Sequence, residues 1–170
     1  MTSSAPNAVF SELPFVDQLM LWAVRLWMRG MQDGHHDLAI LGKGFELAGV
    51  PGAHTVLDGF LTIVATSATA AVDIRAPRCG GVSTDEQILM TAMGNLQAPD
   101  DNTAEQCSQA LFADRLPPSA RRLAVEWAGR LAEMFADAGL IIGGNNTNRN
   151  RSFPTAATRM FAGPSAVTIH

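Results

Sequence analysis

The sequence predicts an all-α fold, an irregular bundle of about six helices with an extended C-terminal arm. Apolar residues recur at three- and four-residue intervals, the spacing of one helix face. Glycine, proline and capping residues interrupt this pattern, and no run alternates apolar and polar residues as a half-buried strand does. With 170 residues, of which 47% are apolar, the chain can build one core without disulfides.

The chain divides into a predicted helical bundle domain, residues 1–139, and an extended arm, residues 140–170. The arm is rich in Gly, Asn and Pro, and it carries three arginines and no acidic residue. Since the whole chain has a net charge of -4, the bundle domain is the acidic part. We expect the arm to pack on the body or on a partner subunit.

The first predicted helix, residues 13–31, is apolar over most of its circumference. Its polar side chains, together with one just beyond its end, are seven, four and three residues apart, which places them in one stripe. Such a helix must be buried on more than one side, at the centre of the bundle or at a subunit interface. The stripe consists of Gln18, Arg25, Arg29 and Gln32.

The second and third predicted helices, residues 37–47 and 52–74, both suggest close packing. The second ends at the sequence AGVPG, a glycine cap followed by proline. Its internal glycines, Gly42 and Gly44, each weaken a helix by about 1 kcal/mol relative to Ala, and we attribute them to the close approach of another backbone. The third helix contains the small-residue run TIVATSATAAV, which lets neighbouring helices come near.

Capping signals mark the remaining helices. The sequence STDE, residues 83–86, is a capping box that predicts the start of the fourth helix. TAEQ repeats this pattern at the start of the fifth helix, residues 103–116, which the sequence PP ends. The sixth helix is expected at residues 120–138, between a Ser119 cap and Gly139.

The connection RAPRCGGV, residues 75–82, contains a candidate reactive side chain, Cys79. The amide-rich start of the fourth helix and two neighbouring arginines can stabilise a thiolate, and the adjacent glycines would leave the sulfur accessible. The alternative is that the glycines serve the turn and Cys79 fills a small apolar niche.

A metal site would need histidines near this thiol. The candidates are His35, His36 and His54, together with Cys79. Adjacent histidines point apart on a helix, and the four-residue spacing of a helical zinc motif is absent. We therefore predict no cofactor, while leaving a metal ion open.

A pocket for an apolar small molecule is a weaker hypothesis. Large side chains of the first and third helices could line a cavity between helices, where such ligands often bind. These side chains are Met20, Trp22, Trp27 and Phe60.

Charge and composition narrow the classes of partner. An acidic chain is a poor match for nucleic acid or for an anionic membrane. The longest uncharged apolar-rich run within a predicted helix, between Asp58 and Asp73, is shorter than the roughly 20 residues of a membrane span. The N-terminus lacks a basic start followed by an apolar run, so we expect a cytoplasmic protein with free thiols.

The leading functional hypothesis is a non-enzymatic regulatory or interaction protein that acts as a homodimer. Only 16% of the residues are charged, which leaves more apolar helix surface than one chain readily covers. No catalytic residue is assigned. The alternative is a thiol- or metal-dependent sensor or enzyme centred on Cys79.

Overall fold

The structure, a computed structural model, describes residues 8–35, 37–97 and 102–143. Within these ranges the chain forms six α-helices and no strand, which confirms the predicted all-α class. A short 3-10 helix, Phe10–Glu12, precedes them. The helices are α1 (Phe15–Asp33), α2 (Leu38–Leu47), α3 (Ala53–Ser67), α4 (Thr84–Leu96), α5 (Thr103–Ala110) and α6 (Pro118–Asp137).

The most extensive helix pair is α3 against α6. Helices α4 and α5 pack on α6, while α1 and α2 pack on α3. The rings of Phe45 and Phe135 meet edge to face at 5.8 Å between centroids, which ties α2 to α6. Helix α1 buries side chains around most of its circumference, including Leu19, Leu21 and Val24, as its apolar composition predicts.

Three helical glycines accommodate rings from neighbouring helices. A Cβ at Gly44 would lie 2.8 Å from the Trp22 ring, and one at Gly42 would lie 3.2 Å from the His54 ring. The same holds at Gly59, where a Cβ would lie 2.4 Å from the ring of Trp127. The expectation that another backbone approaches the glycines of α2 is therefore wrong, because side-chain rings occupy that space.

Helix α3 ends at Ser67 and does not continue to residue 74 as the small-residue run predicts. Beyond it, backbone groups bond to other elements. The Thr69 amide donates to the Arg115 carbonyl at 2.8 Å, and the Asp73 amide donates to the Asp85 carboxylate at 2.6 Å. These hydrogen bonds take the place of those that residues 68–74 would make in a longer α3. Residues 68–83 therefore form a long connection.

The boundary between α5 and α6 also differs from the sequence prediction. Helix α5 ends at Ala110, because Phe112, which is buried, takes a left-handed conformation with φ of 50°. Helix α6 begins at Pro118 with Pro117 as the N-cap residue, instead of after Ser119. Proline is well suited to a first helical position, where its missing N–H is not needed.

The first residues of the expected arm dock on the bundle. Leu140 and Ile142 are buried. The Gln97 side chain donates to the Leu140 carbonyl at 2.7 Å and accepts from the Ile142 amide at 2.6 Å. A Cβ at Gly94 would lie 3.0 Å from the Ile142 carbonyl oxygen, so glycine lets this segment lie close to α4. The rest of the arm lies outside the described residues.

None of the helices in the described ranges combines the length and the apolar character needed to cross a bilayer.

Two glycine substitutions on the facing helices α3 and α6 should change stability in opposite directions. Gly59→Ala forces the Trp127 ring to move, and overpacking of this kind costs about 1–3 kcal/mol. Gly129→Ala meets no neighbouring atom within 4 Å, so the gain in helix propensity should stabilise the protein by about 0.5–1 kcal/mol. Urea unfolding measures both changes, and a stabilising Gly59→Ala would contradict the close ring contact.

Candidate functional site

A buried ion pair joins α1 to the start of α4. The side chains of Arg25 and Glu86 have no exposed surface. Arg25 Nε donates to Glu86 Oε1 at 2.7 Å and Nη2 donates to Oε2 at 2.8 Å. This two-bond geometry is the strong form of an arginine–carboxylate contact.

The same guanidinium also binds the connection before α4. Nη1 donates to the Cys79 carbonyl at 2.7 Å, and Nη2 donates to the Gly81 carbonyl at 2.8 Å. The Arg25 Cζ lies 4.8 Å from the centroid of the Phe10 ring, a cation–π distance. One side chain of α1 therefore holds the connection, the start of α4 and the N-terminal 3-10 helix.

Glu86 completes the predicted capping box. Its amide donates to Ser83 Oγ at 3.1 Å, and its Oε2 accepts from the Ser83 amide at 2.9 Å. Its Oε1 also accepts from the Arg75 amide at 3.1 Å. With two further bonds from Arg25, the carboxylate receives four donors, about its full capacity. Glu86 is therefore committed to holding structure and is poorly placed to act as a base.

A second carboxylate, that of Asp85, binds the connection at Asp73. Asp85 is buried and accepts from the Asp73 amide, while its Oδ1 accepts from Arg115 Nη1 at 2.7 Å. Ser83 Oγ donates to the Asp73 carbonyl. Asp85 and Glu86, adjacent in α4, thus fasten residues 73–83 from both ends.

The Cys79 side chain is half-buried and its thiol is free. Its backbone has clear roles, since its amide donates to the Ala76 carbonyl at 2.9 Å and its carbonyl accepts from Arg25. Cys107 differs, because it is buried in α5 and burial raises the pKa of its thiol. A reactive role for Cys79 stays a prediction.

The histidine candidates occupy different settings. His35 is exposed just after α1, and its Nδ1 lies 2.9 Å from the Asp33 carbonyl oxygen. His54 lies on α3 with its ring against Gly42, and its buried Nδ1 has no hydrogen-bond partner. His36 is outside the described residues. Among the residues that are described, no three His, Cys, Asp or Glu side chains form a group that could hold a metal ion.

The residues expected to line an apolar pocket are part of the packed core or its edge. Met20, Trp27 and Phe60 are buried, and Trp27 Nε1 donates to Asp58 Oδ1 at 2.7 Å. Trp22 is half-buried and its ring covers Gly44. The described contacts of these four side chains are those of helix packing.

Asp17 is a buried carboxylate at the start of α1. Its Oδ1 accepts from the Gly143 amide at 2.7 Å, which links α1 to the docked segment. Burial raises the pKa of Asp17, and the bond from Gly143 offsets this only in part. The folded protein therefore favours the protonated acid more than the unfolded chain does.

Sequence reasoning missed the role of Arg25. It assigned this residue to the polar stripe of α1 and gave it no partner, whereas the side chain is wholly buried and bound to Glu86. The available signal was one arginine in the middle of a helix that is apolar on most sides. Glu86 gave no complementary signal, because the capping box already explained it.

Comparison of the chain with protein-family models, with curated proteins and with solved structures finds no match.

Asp17→Asn should stabilise the protein more at neutral pH than in acid. A raised pKa in the folded state means that the stabilising contribution of the acid is complete at low pH and is lost as the pH rises through the folded-state pKa. Asparagine can still accept from Gly143 and never ionises. Urea unfolding of both proteins at about pH 7 and about pH 3.5 measures the difference. An advantage of the variant that is equal at both pH values, or greater in acid, would contradict the assignment.

Proposed function

We propose that the chain is a non-enzymatic helical interaction protein that acts as a homodimer in the cytoplasm, with α2 at the contact between copies. The observation that carries the proposal is the outer face of α2. There Ile40 and Leu47 are 42% and 37% exposed, although both are large apolar residues. Their separation of seven residues puts them on one side of the helix.

A neighbouring side of α2 fixes the helix to the bundle. Leu41 and Phe45 are buried there, so the outer face is presented by a rigid support. Rigid presentation lowers the entropy lost on association. Two exposed apolar side chains, beside the exposed ion pair of Lys43 and Glu46, suit a second copy of the same helix, because a two-fold interface pairs a patch with itself.

The buried ionisable cluster supports a structural role in preference to catalysis. Glu86 receives four hydrogen-bond donors, and Arg25 donates to the carboxylate and to two carbonyls of the connection. A general base must have a lone pair free for the proton that it removes. The hydrogen bonds of this cluster hold residues 73–83 in place.

The area of α2 makes a second contact necessary. A helix of ten residues is about 15 Å long, and its outer face is small beside the roughly 1,200–2,000 Å² of a stable interface. We assign the remaining area to the part of the arm beyond the docked segment, residues 144–170, wrapped on the partner subunit. The arm is basic and the rest of the chain is acidic, so their charges are complementary.

Sedimentation velocity at micromolar concentration tests the proposal. The wild-type chain should sediment as a dimer, and the double variant Ile40→Glu with Leu47→Glu as a folded monomer, because two charges would be buried without partners. Leu123→Glu is the matched control, since Leu123 is 45% exposed on α6 and should leave the dimer intact.

Each part of the proposal has its own contradicting outcome. A monomeric wild-type chain would refute the dimer. A double variant that stays dimeric would refute the α2 contact. Deletion of residues 144–170 retains the docked segment and should weaken the dimer, so an unchanged dissociation constant would refute the role of the arm.

A further inference from the structure

A cleft lies between the C-terminal half of α1 and residues 74–77, in the middle of the connection. Its volume is about 280 Å³, close to the lower end of typical small-molecule pockets, roughly 300 Å³. It can therefore take only a small ligand. Its lining residues are Arg25, Met28, Arg29, Gln32, Asp33, Ile74, Arg75, Ala76 and Pro77.

The α1 wall of the cleft includes the C-terminal three residues of the polar stripe, Arg25, Arg29 and Gln32. Arg25, at the inner end, is covered by the connection and neutralised by Glu86. Arg29 and Gln32 follow one and two turns later, where that cover ends. Along the polar stripe of α1, Arg25 therefore makes a buried structural contact, and Arg29 and Gln32 line the open cleft.

Two arginines on opposite walls remain accessible. The Arg29 side chain is 56% exposed and that of Arg75 is 48% exposed. Each forms an ion pair with a nearby exposed carboxylate, Asp33 and Asp73 respectively. Exposed pairs of this kind contribute little to stability, so a ligand anion can readily displace either carboxylate.

The connection supplies the apolar part of the cleft. Ile74, Ala76 and Pro77 line one side, and Met28 lines the other. The backbone here is held in place, because the Arg75 amide donates to the buried Glu86. A ligand would therefore meet a wall whose shape is already set.

We propose that this cleft binds a small organic carboxylate with a short apolar tail. The carboxylate lies between the guanidinium groups of Arg29 and Arg75, which suit its geometry. The tail lies along Met28 and Ile74. With Arg25 neutralised by Glu86, the positive groups at the cleft are Arg29 and Arg75. A monoanion that binds both of them replaces Asp33 and Asp73 in their exposed ion pairs.

Titration of the ¹⁵N-labelled full chain with sodium hexanoate tests the proposal by chemical-shift perturbation. Saturable shifts are expected at the amides of residues 74–76 and of the last turns of α1. Acetate and hexanamide are the probes that lack the tail and the charge, and both should bind about tenfold more weakly, because each loses roughly 1–2 kcal/mol of contact.

Variants identify the groups that bind hexanoate. Arg75→Gln should raise the dissociation constant about fivefold or more, since it removes one charged hydrogen-bond donor. Asp33→Asn should lower it, because Arg29 loses its competing carboxylate. Arg130→Gln is the matched control: Arg130 is 57% exposed and forms an i,i+4 pair with Glu126, as Arg29 does with Asp33. It should bind hexanoate as the wild type does.

Three results would overturn the proposal. They are the absence of saturable shifts, equal affinity for hexanoate and for either control probe, and an unchanged dissociation constant in Arg75→Gln. The readout is ligand binding at the cleft, so the oligomeric state of the chain does not affect the conclusion.

Discussion

The buried pair of Arg25 and Glu86 is the contact on which this arrangement depends. Removing two charges from water is costly, and a buried pair is favourable only when every donor and acceptor is satisfied. Here the connection itself supplies the missing partners, through two carbonyls to the arginine and two amides to the carboxylate. We infer that the pair and the connection require each other, because neither is satisfied alone.

This dependence links the fold to the proposed surfaces. The connection lies between α3 and α4 and forms one wall of the cleft, so the ion pair sets the shape of that wall. Gln97, just after α4, and Asp17, at the start of α1, hold the segment from which the arm continues. The cleft and the arm therefore both continue from segments that polar side chains hold against the helices.

The sequence predicted the helical class and the capping box at Ser83 because both depend on residues close together in the chain. The end of α3 could not be predicted in this way. Residues 68–74 favour a helix by composition, and only bonds from Thr69 and Asp73 to distant elements turn them into a connection. The same limit applies to Arg25, whose partner lies 61 residues away. The sequence places Cys79 near a helix start, as the structure does. The contact that it makes with Arg25 uses its backbone carbonyl and not its thiol.

Amide hydrogen exchange of the wild type and of Arg25→Met tests this account most directly, with Arg29→Met, an exposed position on the same helix, as the control. In the wild type, the amides of Arg75 and Ser83, which donate to Glu86, should exchange as slowly as those in the middle of α1. In Arg25→Met they should lose most of this protection, because breaking a buried pair costs about 3–5 kcal/mol, while Arg29→Met should leave them unchanged. Rapid exchange at both amides in the wild type, or unchanged protection in Arg25→Met, would contradict the claim that the ion pair holds the connection.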